Sequence, residues 1–398
     1  MTASVTIVGG CGHVGLPLGI ALARAGTPVT LLDTDAERVR SVAAGRMPFL
    51  EHDADEALAD ALASGRLTVT ADPAAITHAD AVLVTIGTPV DEYLDPEVRT
   101  FDRAIESVLG RMRGGQLMVL RSTVFPGVTE RLGRRLADRG DRIDLAYCPE
   151  RIAQGYALRE LPRLPQIIGA CSPAAFRRAA ALFRPLGMPI IEVTPLEAEL
   201  AKLFANSYRY LSFAIANQFY LIAQKFGADF HRVYDAVVQD YPRLSGFARP
   251  GFTGGPCLLK DTMQLAAFNH NAFAIGHAAM MVNEGLPAAL VDAAKAGHDL
   301  RNSTVGILGM AFKGNVDDAR DSLAYKLRKV LSLECREVLC TDPYIADPSF
   351  VPLDEVLARA DVLFLGACHD AYRGLAPRQP VIDVFRFLRP APAARRAA

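Results

Sequence analysis

Val5-Thr6-Ile7-Val8-Gly9-Gly10-Cys11-Gly12-His13-Val14-Gly15 is the stretch from which the fold can be read. A short apolar run is followed by Gly10, Gly12 and Gly15 in the spacing G-x-G-x-x-G, and a helical pattern then occupies residues 13–25. In a strand–turn–helix unit of this kind the first glycine, Gly10, is expected to make the tight turn. Gly12 lets backbone approach a pyrophosphate, and Gly15 lets helix and strand pack closely. The N–H groups at the helix start, around His13 and Val14, then face the phosphates. Asp33 ends the next apolar run, residues 28–33, and is placed to accept hydrogen bonds from ribose hydroxyls. Its charge repels a 2′-phosphate, so the expected cofactor is NAD rather than NADP. Strand, turn, helix and terminal acid in series predict a dinucleotide site, where the glycines alone fit a Rossmann-like fold without a cofactor.

Outward from this unit the alternation continues. Residues 81–86, Leu117–Leu120 and residues 143–147 read as further strands, which implies a parallel sheet with helices on both faces. Gly87-Thr88-Pro89 and Arg121-Ser122-Thr123 follow two of these strands. Both fall at the carboxyl edge, where open α/β sheets bind ligands, and both also fit ordinary strand-to-loop turns.

The middle of the chain is different. Thr194-Pro195-Leu196-Glu197 is a capping box with proline at the first helical position, and the helix it opens is predicted to run to about Phe226 and stop at Gly227. Leu196, Leu200, Leu203, Leu211, Ile215 and Ile222 form one stripe at helical spacing, which suits a helix packed on a second copy or one buried in its own chain. Lys202 and Asn206, four apart, are able to reach one small ligand, but with Glu199 and Arg209 they also read as a solvated polar face. At Val305 the strand pattern returns: Val305-Gly306-Ile307-Leu308-Gly309 echoes the start of the chain, with further strands at Glu337–Thr341 and residues 362–366. The expected architecture is therefore an N-terminal Rossmann-type parallel sheet, a central all-helical linker domain and a smaller C-terminal Rossmann-like α/β domain. The expected boundaries are residues 1–193, 194–300 and 301–390, with 391–398 a disordered tail in a region rich in Ala, Pro and Arg from Arg389.

Composition sets limits. A chain of 398 residues exceeds one ordinary core, and 51% hydrophobic with 22% charged residues describes a globular protein. A net charge of -1 gives no general reason to bind nucleic acid or an anionic membrane, so neither is expected as a partner. Seven scattered cysteines without CxxC or zinc spacing read as reduced thiols in a cytoplasm, with no metal expected. Neither a signal peptide nor a membrane span is read in the chain.

One cysteine has a distinctive setting. Gly251-Phe252-Thr253-Gly254-Gly255-Pro256-Cys257 is a glycine-rich loop ending in a thiol, followed by Lys260 and Asp261. Glycines let a ligand approach the backbone, Asp261 shares a helical face with Cys257, and a thiolate beside positive charge is a strong nucleophile. A small buried cysteine is the plainer alternative. Glu150, in Tyr147-Cys148-Pro149-Glu150-Arg151, follows a predicted strand end and is unremarkable alone.

Taken in order, these motifs resemble the family of UDP-glucose and GDP-mannose dehydrogenases over nearly the whole chain. The resemblance rests on Gly10 to Gly15, Gly87-Thr88-Pro89, Ser122-Thr123-Val124, Pro149-Glu150-Arg151, Lys202 with Asn206, and Gly254-Gly255-Pro256-Cys257 before Lys260-Asp261. Ala311-Phe312-Lys313 and Asp317-Asp318-Ala319-Arg320-Asp321-Ser322 complete it. It implies Cys257 as nucleophile, with Lys202, Asn206 and Asp261 holding water and the oxyanion. Glu150 and Thr123 would position sugar and water, and Phe252, Gly254, Phe312 and Lys313 would contact the nucleotide sugar. Thr88, Thr123, Arg320 and Arg38 join the NAD site, with Arg38 near the adenosine and Arg320 reaching from a neighbouring lobe or subunit. A homodimer on the central helix and a place in polysaccharide biosynthesis are implied as well. Two departures stand out: Gln154 replaces a second acid carried by some relatives, and Ile382-Asp383-Val384-Phe385 stands where an Asp-Gly-Arg ending is usual. Pro149-Glu150-Arg151-Ile152 and Met47-Pro48-Phe49 resemble microbial branches acting on UDP-N-acetyl sugars and UDP-glucose.

The expected reaction is a four-electron oxidation of a sugar CH2OH to a carboxylate through a Cys257 thiohemiacetal and thioester, with a UDP-sugar favoured. The rivals are a two-electron hydroxy-acid dehydrogenase, a non-catalytic NAD- or nucleotide-sugar-binding protein, and epimerase-like chemistry that recycles its NAD.

Overall fold

The computed structural model describes residues 3–88, 90–91, 97–138, 140 and 142–388. The expected tail, residues 391–398, and Pro89 of the Gly87-Thr88-Pro89 turn lie outside the described residues. The chain divides into two compact units, Met1–Ala205 and Asn206–Ala398.

The first unit is built on an eight-stranded sheet of order β3-β2-β1-β4-β5-β6-β7-β8. Its strands are β1 (Val5–Val8), β2 (Val29–Leu32), β3 (Leu67–Thr70), β4 (Ala81–Val84), β5 (Leu117–Leu120), β6 (Asp144–Tyr147), β7 (Gln166–Ala170) and β8 (Ile190–Val193). All neighbouring pairs are parallel except β6 with β7. β4 and β5 are buried along their whole length, which is why they read as unbroken apolar runs: a parallel sheet is covered on both faces. β3, β7 and β8 carry weaker signals. β3 is Leu-Thr-Val-Thr with only Leu67 fully buried, β7 begins with Gln166 and contains Gly169, and β8 is an exposed edge.

The chain order reverses between β1 and β4, and the glycine turn lies at that switch point. Thr85, just past β4, donates its hydroxyl to the carbonyls of Val8 (2.8 Å) and Gly9 (3.0 Å), tying the two strand ends together.

The second unit carries a smaller parallel sheet of order β10-β9-β11-β12, formed by β9 (Thr304–Leu308), β10 (Glu337–Thr341), β11 (Val362–Leu365) and β12 (Val381–Ile382). β9 is fully buried and matches the echo of the N-terminal strand.

The long helix spans Pro195–Lys225, within two residues of the sequence expectation. Its capping box is formed: Thr194 N–H and Oγ1 each donate to the Glu197 carboxylate at 2.8 Å, and Glu197 N–H donates to Thr194 Oγ1 at 3.3 Å. The two faces depart from expectation. Of the apolar stripe, Leu203 is buried, whereas Leu196, Ile215 and Ile222 are exposed. Conversely Glu199, read as part of a solvated polar face, is fully buried. It accepts from Gly127 N–H (2.6 Å), Thr129 N–H (2.7 Å) and Thr129 Oγ1 (2.6 Å), capping the start of the Val128–Asp138 helix. Burial pushes its carboxyl pKa up, against the lowering by these bonds. A carboxylate survives such burial because it meets N–H groups that would otherwise be orphaned. Among the described residues, no helix is long and apolar enough to cross a membrane.

Glu199→Ala strips these N–H groups of their acceptor and is expected to lower unfolding free energy by about 2–3 kcal/mol. Chemical denaturation of wild type and variant checks this, and an unchanged midpoint would show the cap to be dispensable.

Candidate active site

The dinucleotide loop follows from packing. Gly9, at φ +77°, makes the turn that the sequence reading assigned to Gly10. A residue with a side chain is strained there, and its Cβ would also press on the Thr85 carbonyl at 3.1 Å. Gly10 instead serves close packing: an added Cβ would meet the Ile7 carbonyl at 2.7 Å and Leu31 Cα at 2.8 Å. Gly15 does the same beneath the helix, 2.6 Å from the Gly9 carbonyl. Gly12 faces the other way, with only the Gly9 carbonyl at 3.4 Å, so one side of the loop is left open to a ligand. The Gly15–Arg24 helix begins here with Val14 as its N-cap. No side chain caps it, which suits a terminus whose N–H groups receive phosphate oxygens. His13 packs its ring on Phe49, centroids 3.9 Å apart.

Asp33 accepts from Cys11 N–H at 2.9 Å and Asp35 N–H at 3.1 Å, and its side chain is half-buried. A carboxylate has about four acceptor positions, so two remain for ribose hydroxyls. These features fit NAD. Arg38 stands on the following helix and pairs with Asp35 at 3.3 Å. Thr88 is buried and Thr123 half-buried beyond the ends of β4 and β5.

The second sheet repeats this frame with a different ending. Asp342, just past β10, accepts from Met310 N–H (2.6 Å) and Ala311 N–H (3.0 Å), as Asp33 does from Cys11. It also accepts from Tyr344 N–H, Ile345 N–H and the ring of fully buried His369 at 3.0 Å. Burial pushes the Asp342 carboxyl up, but its bonds from His369 and the backbone outweigh that and hold it below the usual range. The side chain is 0% exposed, so no acceptor is left for a ribose. What this acid does is hold the turn that leads into Phe312 and Lys313.

In the first unit Glu150 is buried beyond β6. One oxygen pairs with Arg121, and the other accepts from Arg151 N–H (2.7 Å) and Ile152 N–H (3.0 Å). Arg121 is the residue that the sequence reading passed over. Only 2% exposed, it also donates to the Cys148 carbonyl (3.1 Å) and Gln166 Oε1 (2.8 Å), and it lies over the Phe183 ring. Its signal was a lone cation at the end of a wholly apolar, buried strand, a position a charge occupies only with partners.

Cys257 is exposed and forms the N-cap of the Leu258–Phe268 helix. The alternative of a small buried cysteine is therefore wrong for this residue, while Cys11, Cys148 and Cys340 are buried. Burial pushes the Cys11 and Cys148 thiols up to about 12, far from reactivity. Asp261, one turn beyond Cys257, is fully buried. It accepts from Asn206 Nδ2 at 2.6 Å and pairs with Lys260 at 2.8 Å. Asn206, like Glu199, is thus buried rather than solvated, and Lys202 stands half-buried one turn before it. The cysteine loop is wedged in place. Gly255, at φ +100°, donates its N–H to the Asp321 carbonyl at 3.1 Å, and a Cβ there would strike the Phe312 ring at 2.6 Å. Gly254 and Phe252 share this loop, and the Lys313 ammonium lies 5.8 Å from the Phe312 centroid. Arg320 is held by Asp318 in a bidentate pair (3.0 and 2.6 Å), which raises its pKa further. Cys257 thus stands at a helix N-terminus, a position whose N–H groups attract negative charge.

Comparison with known proteins identifies the family. Residues 3–187 match the NAD-binding domain of the UDP-glucose/GDP-mannose dehydrogenase family, 196–285 its central domain and 306–390 its UDP-binding domain. The chain is 30% identical over 380 residues to a UDP-N-acetyl-D-mannosamine dehydrogenase of Pyrococcus horikoshii, covering 92% of this chain and 90% of that one. A solved UDP-D-ManNAc dehydrogenase structure from the same organism superposes with a TM-score of 0.90 at 27% identity, covering 98% and 97% of the two chains. A UDP-glucose dehydrogenase from Pyrobaculum islandicum gives 0.87 at 28% identity, covering 97% and 95%.

Asp33→Ala is expected to raise the KM for NAD about 10- to 100-fold, the loss of charge-assisted ribose bonds. Steady-state kinetics with varied NAD tests it, and an unchanged KM removes Asp33 from the cofactor site.

Proposed function

Because the chain belongs to the UDP-glucose/GDP-mannose dehydrogenase family, with NAD as its cofactor, we propose that it oxidises the C6 hydroxymethyl of a UDP-sugar to the uronic acid through Cys257. The observation that carries this reading is that Cys257 is exposed at a helix N-terminus, with the buried Asn206–Asp261 pair one turn further along. The loop around Gly12 and the open acceptors of Asp33 would hold NAD, with Thr88, Thr123 and Arg38 joining them. The bound nicotinamide supplies the hydride acceptor for both oxidations, so two NAD are consumed per sugar.

The protein's own groups do the rest. A water held by Lys202 and Asp261 takes the hydroxyl proton as the first hydride leaves C6. The Cys257 sulfur then bonds to the aldehyde carbon, and the carbonyl oxygen takes up a proton, giving a thiohemiacetal. Loss of that proton and of the second hydride leaves a thioester. Water attacks the thioester carbon, the C–S bond breaks, and the thiol is regenerated with release of the carboxylate. Lys202 and Asn206 stabilise the oxyanions. Glu150, committed to Arg121 and two backbone N–H groups, positions sugar and water together with Thr123. Phe252, Gly254, Phe312 and Lys313 contact the nucleotide sugar. The assignment of residues 1–193 to NAD, 194–300 to dimerisation and 301–390 to the nucleotide sugar belongs to the same proposal.

Cys257→Ser is expected to lower acid formation roughly 10³-fold or more while leaving NAD affinity unchanged. Mass spectrometry of the product and NADH counted per sugar across UDP- and GDP-sugars check it. One NADH per sugar in the wild type favours a two-electron dehydrogenase, no net NADH favours epimerase-like chemistry, and no turnover favours a binding protein.

The same reading includes a homodimer on the long helix. Phe204, Tyr208, Ile215, Phe219 and Phe226 are 54%, 66%, 50%, 49% and 80% exposed. Several of them line an apolar groove of about 910 Å³ with Tyr234 and Phe247. A row of this size in water calls for a cover. Replacing Ile215 and Phe219 together by Glu is expected to halve the mass measured by light scattering; a monomeric wild type ends the dimer proposal.

A further inference from the structure

The segment that bears the thiol begins at a buried backbone unit with neither helix nor strand to satisfy it. Gly251 is covered on one side by Phe385, whose ring would stand 2.3 Å from an added Cβ. A buried peptide group of this kind must find partners elsewhere. It finds them chiefly in one side chain of the long helix, with a longer bond to its carbonyl from Thr253 Oγ1 at 3.4 Å. Asn217, 0% exposed, accepts from Gly251 N–H at 2.8 Å and donates from Nδ2 to the Gly251 carbonyl at 3.1 Å. The orientation of this amide is dictated, because the Gly251 N–H requires an oxygen opposite it. The second Nδ2 hydrogen goes to Asn283 Oδ1 at 2.9 Å, and Asn283 Nδ2 returns to the Tyr210 carbonyl at 3.1 Å. Asn283 is also 0% exposed.

Asn217 follows Asn206 by eleven residues, three helical turns with about 20° of drift, so both project from one face. Asn206 holds Asp261, just beyond the thiol, and Asn217 holds Gly251, six residues before it. The helix therefore grips the thiol-bearing segment at both ends.

We infer that Asn217, oriented by Asn283, is a positioning residue that places the Cys257 sulfur for its attack on the aldehyde. Resting on the function proposed above, this adds a residue that touches neither sugar nor cofactor. Its signature is a fault in the second oxidation rather than the first. With the loop start released, the aldehyde forms but is captured poorly by sulfur.

The test compares Asn217→Ser, Asn283→Ala and Cys257→Ser with wild type, using the UDP-sugar that the wild type turns over fastest and hydroxylamine to trap aldehyde. Asn217→Ser is expected to lose roughly 100-fold in acid formation, the usual cost of a displacement near 1 Å, with the KM for NAD unchanged. NADH per sugar should fall from two toward one as trapped aldehyde appears. Asn283→Ala, which only frees the Asn217 amide to rotate, should move the same quantities by roughly 3- to 10-fold. If Cys257→Ser abolishes acid formation while both asparagine variants keep wild-type kcat and two NADH per sugar, the inference is overturned and the thioester reading stands. If Cys257→Ser itself keeps full acid formation, the thioester reading falls and this inference falls with it.

Discussion

A polar group taken out of water must be given a partner, and on the helix Pro195–Lys225 that constraint shapes both units. In the first unit Glu199 meets the orphan N–H groups at the start of another helix. In the second, Asn206 meets Asp261 and Asn217 meets Gly251. None of these side chains tolerates a shift of its neighbour by even an ångström without losing a bond. Apolar contacts along the same helix are more forgiving, and many of its large apolar residues are exposed. The thiol-bearing segment is thus held by directional bonds made in a dry setting, where each is strongest.

The two parallel sheets show how one frame yields two uses. In each, an acid just past the second strand of the unit binds the N–H groups of the turn beyond the first. Asp33 keeps acceptors open and sits half-buried beside a glycine turn with an open side. Asp342 spends its acceptors on five N–H donors, His369 among them, and is sealed. The difference lies in the surroundings rather than the acid. It separates an acid with acceptors to spare from one that only holds the turn carrying Phe312 and Lys313.

The cysteines make the same point about environment. Cys11 and Cys148 are driven toward the neutral thiol by burial, while Cys257 stands exposed at a helix start. Reactivity follows access and neighbouring charge rather than residue type.

Much of the molecule was legible in the chain itself. β1, β5 and β10 were read to the residue, because each is a short run of mostly apolar residues. The long helix was placed by its capping box, and the glycine turn by its spacing. β3, β7 and β8 were missed because edge strands and strands broken by glycine or glutamine lack that signature. The turn assigned to Gly10 belongs to Gly9, since positive φ is a property of the backbone path and two adjacent glycines look alike in sequence. Local patterns thus determined the α/β–helical–α/β order and pointed to Asp33, Lys202, Asn206, Cys257 and Asp261. Only tertiary structure decided that Glu199 is buried, that Arg121 carries Glu150, that Cys257 is exposed and that Asn217 clamps Gly251. Periodicity reports which residues share a face; whether that face meets water, a backbone N–H or another side chain depends on segments far away in the chain.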